Sequence, residues 1–400
     1  MNNFLYGDGI HDDLPAIQEM LDSKASLVYL PPAKKHYLIS GTIYVHSNQE
    51  LRLDRYTRIR LTDNANCAML KNSDWENWNE NITISGGIWD MNHNNQLPNP
   101  WHWPDPITGL TGHQIMKNPS IDRSQRKPLG IYTGFCFEFF CVKGLHFGNL
   151  TIENPVVYGS DFAYVEDFTV ENIKFDFFEG SPKLWNLDGV HIEGYCKNGV
   201  IRNLKGTCHD DTVALTTDDL YFGPIDNIVV DGVWGEHSHS AVRMLSVNYP
   251  LKNVHITNIF GTYYVYCICL SKYYESENRS HFENIAIDHV YASICPGTVD
   301  VAGNYEPLIA IGNKLDLKSL YLSHIYRNET HNPMPTVRIA EESNIGLISA
   351  ENCEQTNATG APMPFIENYG NIERIILRNV DTAGDMRIAN NGTIKQIIEN

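Results

Sequence analysis

A short motif recurs along the chain at nearly regular intervals, and this repeat limits the possible folds more than any other feature. Each copy has an Asn, an apolar residue and then alternating polar and apolar positions, often ending in Asn, Asp or Gly. The copies begin at Asn81, Asn149, Asn172, Asn198, Asn227, Asn253, Asn284, Asn344 and Asn371. From Asn149 onward the spacing is roughly 23 to 31 residues, apart from one double step between Asn284 and Asn344. A period of this length is typical of solenoid proteins.

The pattern inside each copy predicts strands rather than helices. Period-two alternation rich in Val and Ile and bounded by turn-forming residues is typical of short strands. We therefore predict an all-β fold: a single-stranded, right-handed parallel β-helix of about ten coils, with neighbouring coils about 4.8 Å apart. The recurring Asn residues are expected to be structural, because Asn tolerates left-handed backbone geometry and its amide can bond to the next coil.

One helix is predicted near the start, at about residues 12–22. Asp12 and Asp13 are expected to cap the start of this helix, Pro15 is an early proline typical of a first turn, and apolar Ile17, Met20 and Leu21 follow at helical spacing. An open solenoid end exposes unpaired strand edges and needs a cover. We expect this helix to cap a single β-helix domain that spans residues 1–400.

Composition excludes some classes of function. The formal net charge of −18 argues against nucleic-acid binding, which needs clustered Lys and Arg. No apolar run is long enough for a transmembrane helix, and the N-terminus lacks the pattern of a secretory signal. Nine cysteines without metal-ligand spacing indicate a reducing compartment. The expected location is cytoplasmic, or secreted or virion-associated if the chain is a trimmed or phage-derived one.

Two carboxylate motifs carry the predicted chemistry. Asn186-Leu187-Asp188-Gly189 and His209-Asp210-Asp211 lie nearly one repeat apart. Residues one period apart stack on neighbouring coils, so the three aspartates are expected to converge. Clustered carboxylates resist simultaneous ionisation, and a carboxyl group that keeps its proton beside ionised ones is what glycosidic hydrolysis requires. An isolated Asp-Asp is more often a turn, but the joint occurrence favours catalysis.

The same segments resemble a known enzyme family. Residues 185–192 and 208–215 are similar to the Asn-Thr-Asp-Gly and Gly-x-Asp-Asp signatures of polygalacturonases, glycoside hydrolase family 28 of the pectin-lyase-like superfamily. The resemblance implies hydrolysis of a pectin-like or other uronic-acid-containing saccharide with inversion at the anomeric carbon. It makes Asp210 the general acid, while Asp188 and Asp211 hold and deprotonate the attacking water.

Two further signatures of that family are altered in this sequence. His239 stands in Ser238-His239-Ser240, where the family has Gly-His-Gly, and would orient or tune the acid. Lys272 matches the lysine of an Arg-Ile-Lys motif, but Leu270 replaces its arginine, which in the family grips a substrate carboxylate. Lys cannot replace the bidentate contact of that arginine, and Arg243 is the candidate to compensate for it.

The remaining candidate residues would line the substrate cleft. The further substrate-binding candidates are Asn186, His209, Trp185 and Tyr273. A carbohydrate is the expected partner, with no nucleic acid and no membrane, and neither a cofactor nor a metal is predicted. The sequence leaves the oligomeric state open between a monomer and a homotrimer.

A long insertion at about residues 92–128 breaks the repeat. It contains Trp101, His102 and Trp103 among many prolines. Loops of this length are usually functional or disordered. Its tryptophans favour an ordered flap over the cleft, because aromatic rings stack on sugar C–H faces; packing on the flank of the solenoid is the alternative.

Two other functions fit the same fold. A polysaccharide lyase or epimerase would need a base to remove the C5 proton, for which Arg243 or Lys272 could serve, with the aspartates as calcium ligands. A carbohydrate-binding β-helix similar to phage tailspikes is the non-enzymatic alternative, although a binding module has no need of three converging carboxylates.

Overall fold

The computed structural model describes residues 4–104, 109–116, 132–177, 186–274, 276–297 and 306–399. The chain forms two compact units, one of residues 1–199 with 219–222 and one of residues 200–218 with 223–400. The prediction that residues 1–400 form a single domain stays a prediction. No helix in the described ranges is long and apolar enough to span a membrane.

Parallel strands dominate both units. The helical segments are α1 (Leu14–Asp22), a 3₁₀ turn (His93–Asn95) and α2 (Gly112–Met116). The strands of the first unit are β1 (Leu27–Leu30), β2 (Tyr37–Ile39), β3 (Ile43–Val45), β4 (Gln49–Leu53), β5 (Arg58–Leu61), β6 (Leu70–Asn72), β7 (Asn79–Ser85), β8 (Ile88–Asp90), β9 (Phe137–Gly148), β10 (Thr151–Glu153), β11 (Ser160–Asp176) and β12 (Val190–Ile192). β13 (Lys197–Thr207) begins in the first unit and continues in the second. The strands of the second unit are β14 (Asp211–Thr216), β15 (Ile225–Ser238), β16 (Ser240–Leu245), β17 (Leu251–Tyr263), β18 (Ile268–Ser271), β19 (Ser280–Ile294), β20 (Ile309–Ile311), β21 (Leu315–Glu329), β22 (Val337–Ile339), β23 (Asn344–Asn357), β24 (Ile366–Asn368), β25 (Asn371–Asp381), β26 (Ile388–Asn390) and β27 (Thr393–Glu399).

Three ladders of parallel strands build the first unit. One ladder joins β1, β4, β7 and β9, and a second joins β5 to β2 and β8, and β8 to β10. The third runs through β3, β6, β9, β11 and β12. Strands β9 and β11 each take part in two or more ladders, because they follow the coil round a corner. This is the predicted parallel β-helix.

The second unit repeats the same construction. The short strands β14, β16, β18, β20, β22, β24 and β26 pair in succession, all parallel. The long strands β15, β17, β19, β21, β23, β25 and β27 form the other succession. Inward positions of both units carry the Ile, Val, Leu and Phe side chains of the core. Most of the cysteines are also buried.

The recurring Asn residues have the structural role that the sequence predicted. Asn149 and Asn172 both have left-handed backbone conformations, with φ of 57° and 56°. The Asn172 amide donates to the Asn149 side-chain oxygen on the neighbouring coil at 3.0 Å. The double step after Asn284 contains a complete coil in which Ser319 replaces Asn, and its hydroxyl donates to the Asn284 side-chain oxygen at 3.2 Å. Asn344 begins β23 instead of occupying such a corner.

Helix α1 confirms the predicted N-terminal helix, but Asp13 has a different role from the expected one. Ile17 and Leu21 are buried as predicted. The Asp13 side chain makes no capping bond to the helix. Its buried carboxylate instead accepts N–H groups of Tyr6 at 2.6 Å and of Leu38 at 3.1 Å. Asp13 therefore joins the segment before the helix to the first coil, while Asp12 accepts the Leu14 N–H at 3.1 Å.

The described part of the insertion packs against the first unit. Trp101 is buried and stacks on Phe135, with ring centroids 6.3 Å apart. Because its ring is covered, Trp101 is a packing residue rather than a platform for a sugar. Residues 105–108 and 117–128 of the predicted insertion lie outside the described residues.

The tight stacking of coils predicts a strong position dependence for glycine substitutions. Gly86 and Gly384 both have positive φ, 86° and 96°. A Cβ at Gly86 would overlap the backbone carbonyl of Leu53, whereas a Cβ at Gly384 would meet no atom within 4 Å. Gly86→Ala should cost about 1–2 kcal/mol for the left-handed conformation and about 1–3 kcal/mol more for the overlap. Gly384→Ala should cost only the first amount in denaturant unfolding; equal costs would contradict the stacking.

Candidate active site

Asp210 and Asp211 lie at the start of β14, where the second unit aligns them with residues of the next coil. Asp211 is in register with Ser240, the first residue of β16. This register brings His239 beside Asp210, and the His239 Nδ1 atom lies 3.8 Å from the Asp210 Oδ1 atom. The Asp210, Asp211 and His239 ligand atoms all lie within 4.8 Å of one another. Three of the four predicted catalytic residues therefore form one group.

The two carboxyl groups differ sharply in environment. The Asp211 side chain is fully buried, with the Arg243 Nε atom 2.9 Å from its Oδ2 atom. The Ser240 hydroxyl donates to Asp211 Oδ1, and the Tyr266 hydroxyl lies 3.3 Å from the same oxygen. The Asp210 side chain is 22% exposed. One carboxylate is thus held in a fixed, charge-paired position beside another that solvent can reach.

Two tyrosines flank His239. The rings of Tyr264 and Tyr266 meet the His239 ring edge-on, at centroid distances of 5.4 and 6.0 Å. Burial raises the pKa of the Tyr266 hydroxyl well above its usual value, and the nearby Asp211 adds to this effect. Tyr266 therefore remains a neutral hydrogen-bond donor to Asp211. No feature of the repeat pointed to Tyr266, so sequence reasoning missed it.

The two serines that replace the expected glycines both make hydrogen bonds. Ser240 donates to Asp211, and Ser238 donates to the Cys208 carbonyl at 3.1 Å. The Cys208 N–H in turn lies 3.1 Å from the Ser238 hydroxyl oxygen. These bonds join the coil of His239 to the coil of Asp210, so the change from glycine adds fixed contacts behind the carboxylates.

The predicted substrate-binding residues of the second unit have different environments. Lys272 is buried, and its amine donates to the Ser276 carbonyl. Tyr273 is 68% exposed, and the Arg243 guanidinium lies over its ring at 5.7 Å. Leu270 belongs to the core, fully buried and in register with Met244. An arginine at position 270 would point into the core, so Leu270 is a packing residue.

Asp188 lies in the first unit, immediately before β12. Its Oδ2 atom is 2.5 Å from the His191 Nδ1 atom, and both side chains are buried. The His191 side chain has no exposed surface. Its ring stacks on Tyr158 with centroids 4.1 Å apart. Asp188 is thus held in place by a buried histidine.

Further carboxylates surround the other side of His191. The His191 Nε2 atom lies 3.4 Å from Glu193 Oε1 and 3.5 Å from Asp219 Oδ2. Burial opposes protonation of His191, but its contacts with Asp188 and Glu193 outweigh it and raise its pKa well above the usual value. Burial also disfavours the charged form of Asp161, and it therefore raises the pKa of that carboxyl group. Glu193, Asp219 and Asp161 were not predicted, because none belongs to a recognised motif.

Three other predicted residues complete the set. The Asn186 side-chain oxygen is 2.8 Å from the His102 Nε2 atom and accepts the Asn99 amide at 3.3 Å, so the insertion contacts it. His209 is half-buried, directly before Asp210. Trp185 lies outside the described residues.

Comparisons with known proteins identify the fold. No protein-family model matches the sequence, and no curated protein sequence matches it. The structure is similar to a hyperthermoactive exopolygalacturonase from Thermotoga maritima, with a TM-score of 0.64 and 15% identity over 94% of this chain and 89% of that chain. The chain therefore has a right-handed parallel β-helix fold.

Similar β-helices perform different functions. A mannuronan C-5 epimerase A-module from Azotobacter vinelandii has a TM-score of 0.57 and 11% identity over 100% of this chain and 98% of that chain. The surface adhesin PfbA from Streptococcus pneumoniae has a TM-score of 0.54 and 14% identity over 98% of each chain. The β-helix fold therefore does not select one activity, and function has to be argued from the site.

The buried pair of Arg243 and Asp211 predicts a large loss of stability when the arginine is removed. Arg243→Met should cost about 3–5 kcal/mol of unfolding free energy, because the Asp211 carboxylate keeps its buried position without the guanidinium. Adding Asp211→Asn should recover part of that loss in a double-mutant cycle.

The matched control is Arg338→Met, since Arg338 pairs with Glu367 at 3.4 Å but is more exposed than Arg243. This pair should contribute about 0–1 kcal/mol. Equal losses for Arg243→Met and Arg338→Met in denaturant unfolding would refute the buried pair.

Proposed function

We propose that this β-helix is a glycoside hydrolase that cleaves an O-glycosidic bond in a pectin-like or other uronic-acid-containing saccharide. One observation carries the proposal: a partly exposed carboxyl group, Asp210, beside a buried carboxylate, Asp211, whose charge is paired. Glycosidic hydrolysis needs two carboxyl groups in unlike environments, one to give a proton and one to act as a base or nucleophile.

The environments assign the roles. Asp210 is the proton donor to the leaving oxygen, since its side chain reaches solvent and a substrate could reach it. Asp211 is held by Arg243, Ser240 and Tyr266, which suits a carboxylate that stays ionised and orients water. His239, at 3.8 Å from Asp210, is a positioning residue for the acid.

Inversion at the anomeric carbon is the finer part of the proposal. An inverting acid and base are separated by about 6.5–9.5 Å to admit a water molecule. Ligand atoms of Asp210 and Asp211 lie within 4.8 Å of one another, so this pair alone is too close for that geometry. Inversion therefore needs a further carboxylate as base, and the family resemblance assigns that role to Asp188.

Substrate recognition is proposed to use Arg243 and Tyr273. The exposed Tyr273 ring offers a flat face for a sugar, and the guanidinium above it supplies positive charge for a uronic carboxylate. Lys272 is a weaker candidate than the sequence suggested, because its amine donates to the Ser276 carbonyl.

The lyase or epimerase alternative has less support from the same contacts. Its base would be Arg243 or Lys272, and both are engaged, one with the Asp211 carboxylate and the other with the Ser276 carbonyl. A hydrolase needs neither residue as a base. The hydrolase is thus the better supported of the two.

Asp210→Asn should abolish proton donation while keeping the fold. We expect kcat to fall by about 10²–10⁴ on whichever pectic oligosaccharide the wild type cleaves, with an unchanged melting temperature. The measurement is release of reducing ends. Asp176→Asn is the matched control, because the Asp176 side chain is also 22% exposed and pairs with a surface lysine, Lys174. Near-wild-type turnover in Asp210→Asn would rule out this acid.

Asp188→Asn tests the proposed base separately. If Asp188 activates the water, kcat should fall about as steeply as in Asp210→Asn. The measurement is again release of reducing ends, with the melting temperature as a check that the variant is folded. Turnover close to that of the wild type would remove Asp188 from the mechanism.

A further inference from the structure

A second group of ionisable side chains lies inside the first unit. His191, Glu193 and Asp161 are buried and offer ligand atoms within 4.8 Å of one another. Asp188 and Asp219 also contact His191. One imidazole, even when protonated, cannot balance four buried carboxylates, and an uncompensated buried charge is costly. Bound protons or a metal ion would relieve that cost.

The geometry around His191 is that of a metal ligand. Asp188 occupies the Nδ1 side of the ring, as carboxylates do in carboxylate–histidine–metal arrangements. The Nε2 atom then faces Glu193 Oε1 at 3.4 Å and Asp219 Oδ2 at 3.5 Å. Both separations exceed the usual N–H···O length of about 2.7–3.2 Å. Two ligand atoms at about 2.1 Å from one tetrahedral zinc ion would be about 3.4 Å apart.

The Asp161 side chain is a second, independent indication that a metal ion binds here. It is in register with His191 on the neighbouring coil and is only 4% exposed. Among the residues that the structure describes, none forms a hydrogen bond with its Oδ1 atom, which is rare for a buried carboxylate oxygen. On the preceding coil, Glu138 is in register with Asp161 and has its own cation, because Lys71 Nζ lies 2.7 Å from it.

The rest of the cluster holds these groups in place. The N–H groups of Leu220 and Tyr221 donate to the Glu193 carboxylate at 3.0 and 3.2 Å. Tyr158 stacks on the His191 ring. The ligand groups are therefore oriented by the backbone and by packing, as in metal sites whose outer contacts fix their ligands.

We propose that the first unit contains a buried structural site for a divalent transition-metal ion, Zn²⁺ by preference, with His191 Nε2, Glu193, Asp161 and Asp219 as ligands. An imidazole with carboxylates suits zinc, which also binds such sites more tightly than Mn²⁺ or Fe²⁺. Because all four side chains are buried, the ion would join neighbouring coils and would not contact a substrate. The site revises the prediction that the chain needs no metal.

The first test is the metal content of the full chain, purified without chelators or a metal-affinity tag. Mass spectrometry should find about one zinc ion per wild-type chain. Asp161→Asn and His191→Gln should lose it. Asp288→Asn should keep it: Asp288, His289 and His324 form a more exposed group of the same ligand types in the second unit, so this variant is the matched control. Zinc lost from Asp288→Asn but kept by Asp161→Asn would overturn the proposal.

The second test needs no variant and holds even if Asp161→Asn does not fold. Wild-type chain freed of metal by a chelator should gain visible d–d absorption when Co²⁺ is added, and its melting temperature should rise with Co²⁺ or Zn²⁺. Circular dichroism of the metal-free chain checks that it is folded. The contrary result is a folded wild-type chain that is purified without bound metal and shows neither the absorption nor the rise in melting temperature. Protons alone would then balance the charge of the cluster, and the metal site would be rejected.

Discussion

The parallel stacking of coils is the constraint on which the rest of the structure depends. Each strand pairs in register with the strand one coil away, so side chains far apart in sequence form columns. Asn172 and Asn149 form one such column and stabilise the fold through their hydrogen bond. Asp211 and Ser240 form another, which belongs to the candidate active site. Side chains in a column are about 4.8 Å apart at the backbone, which is close enough for carboxylates to interact strongly.

The repeat made most of the fold predictable. The alternation of polar and apolar residues predicted the strands, and the spacing of the Asn residues predicted the length of a coil. The same Asn residues marked many of the corners that have left-handed backbone conformations. What failed was finer. The sequence assigned Asp13 to the helix cap, but its carboxylate accepts backbone N–H groups of Tyr6 and Leu38. Such long-range contacts of a single side chain follow from packing, and a local motif does not encode them.

The site was predictable only where it coincides with a motif. Asp210 and Asp211 were predicted from a motif one repeat after Asp188, His239 was predicted from the family resemblance, and the structure brings these three residues together. Tyr266 contacts Asp211 from two coils away, without any local pattern to mark it. Asp161 escaped notice for the same reason, since an isolated Asp in a strand looks like an outward-facing residue. These contacts depend on which residues of neighbouring strands lie opposite each other. The repeat predicts the length of a coil, but it does not predict this register to the exact residue.

Unequal environments of neighbouring carboxyl groups are the basis of the proposed chemistry. Arg243 and Tyr266 hold Asp211, while Asp210 reaches solvent. The most direct test is proton NMR of the first product that the wild-type chain releases from a pectic oligosaccharide. The account predicts a saturated product that appears first as the anomer of inverted configuration. An unsaturated product that absorbs in the ultraviolet would contradict it, because only elimination forms that product.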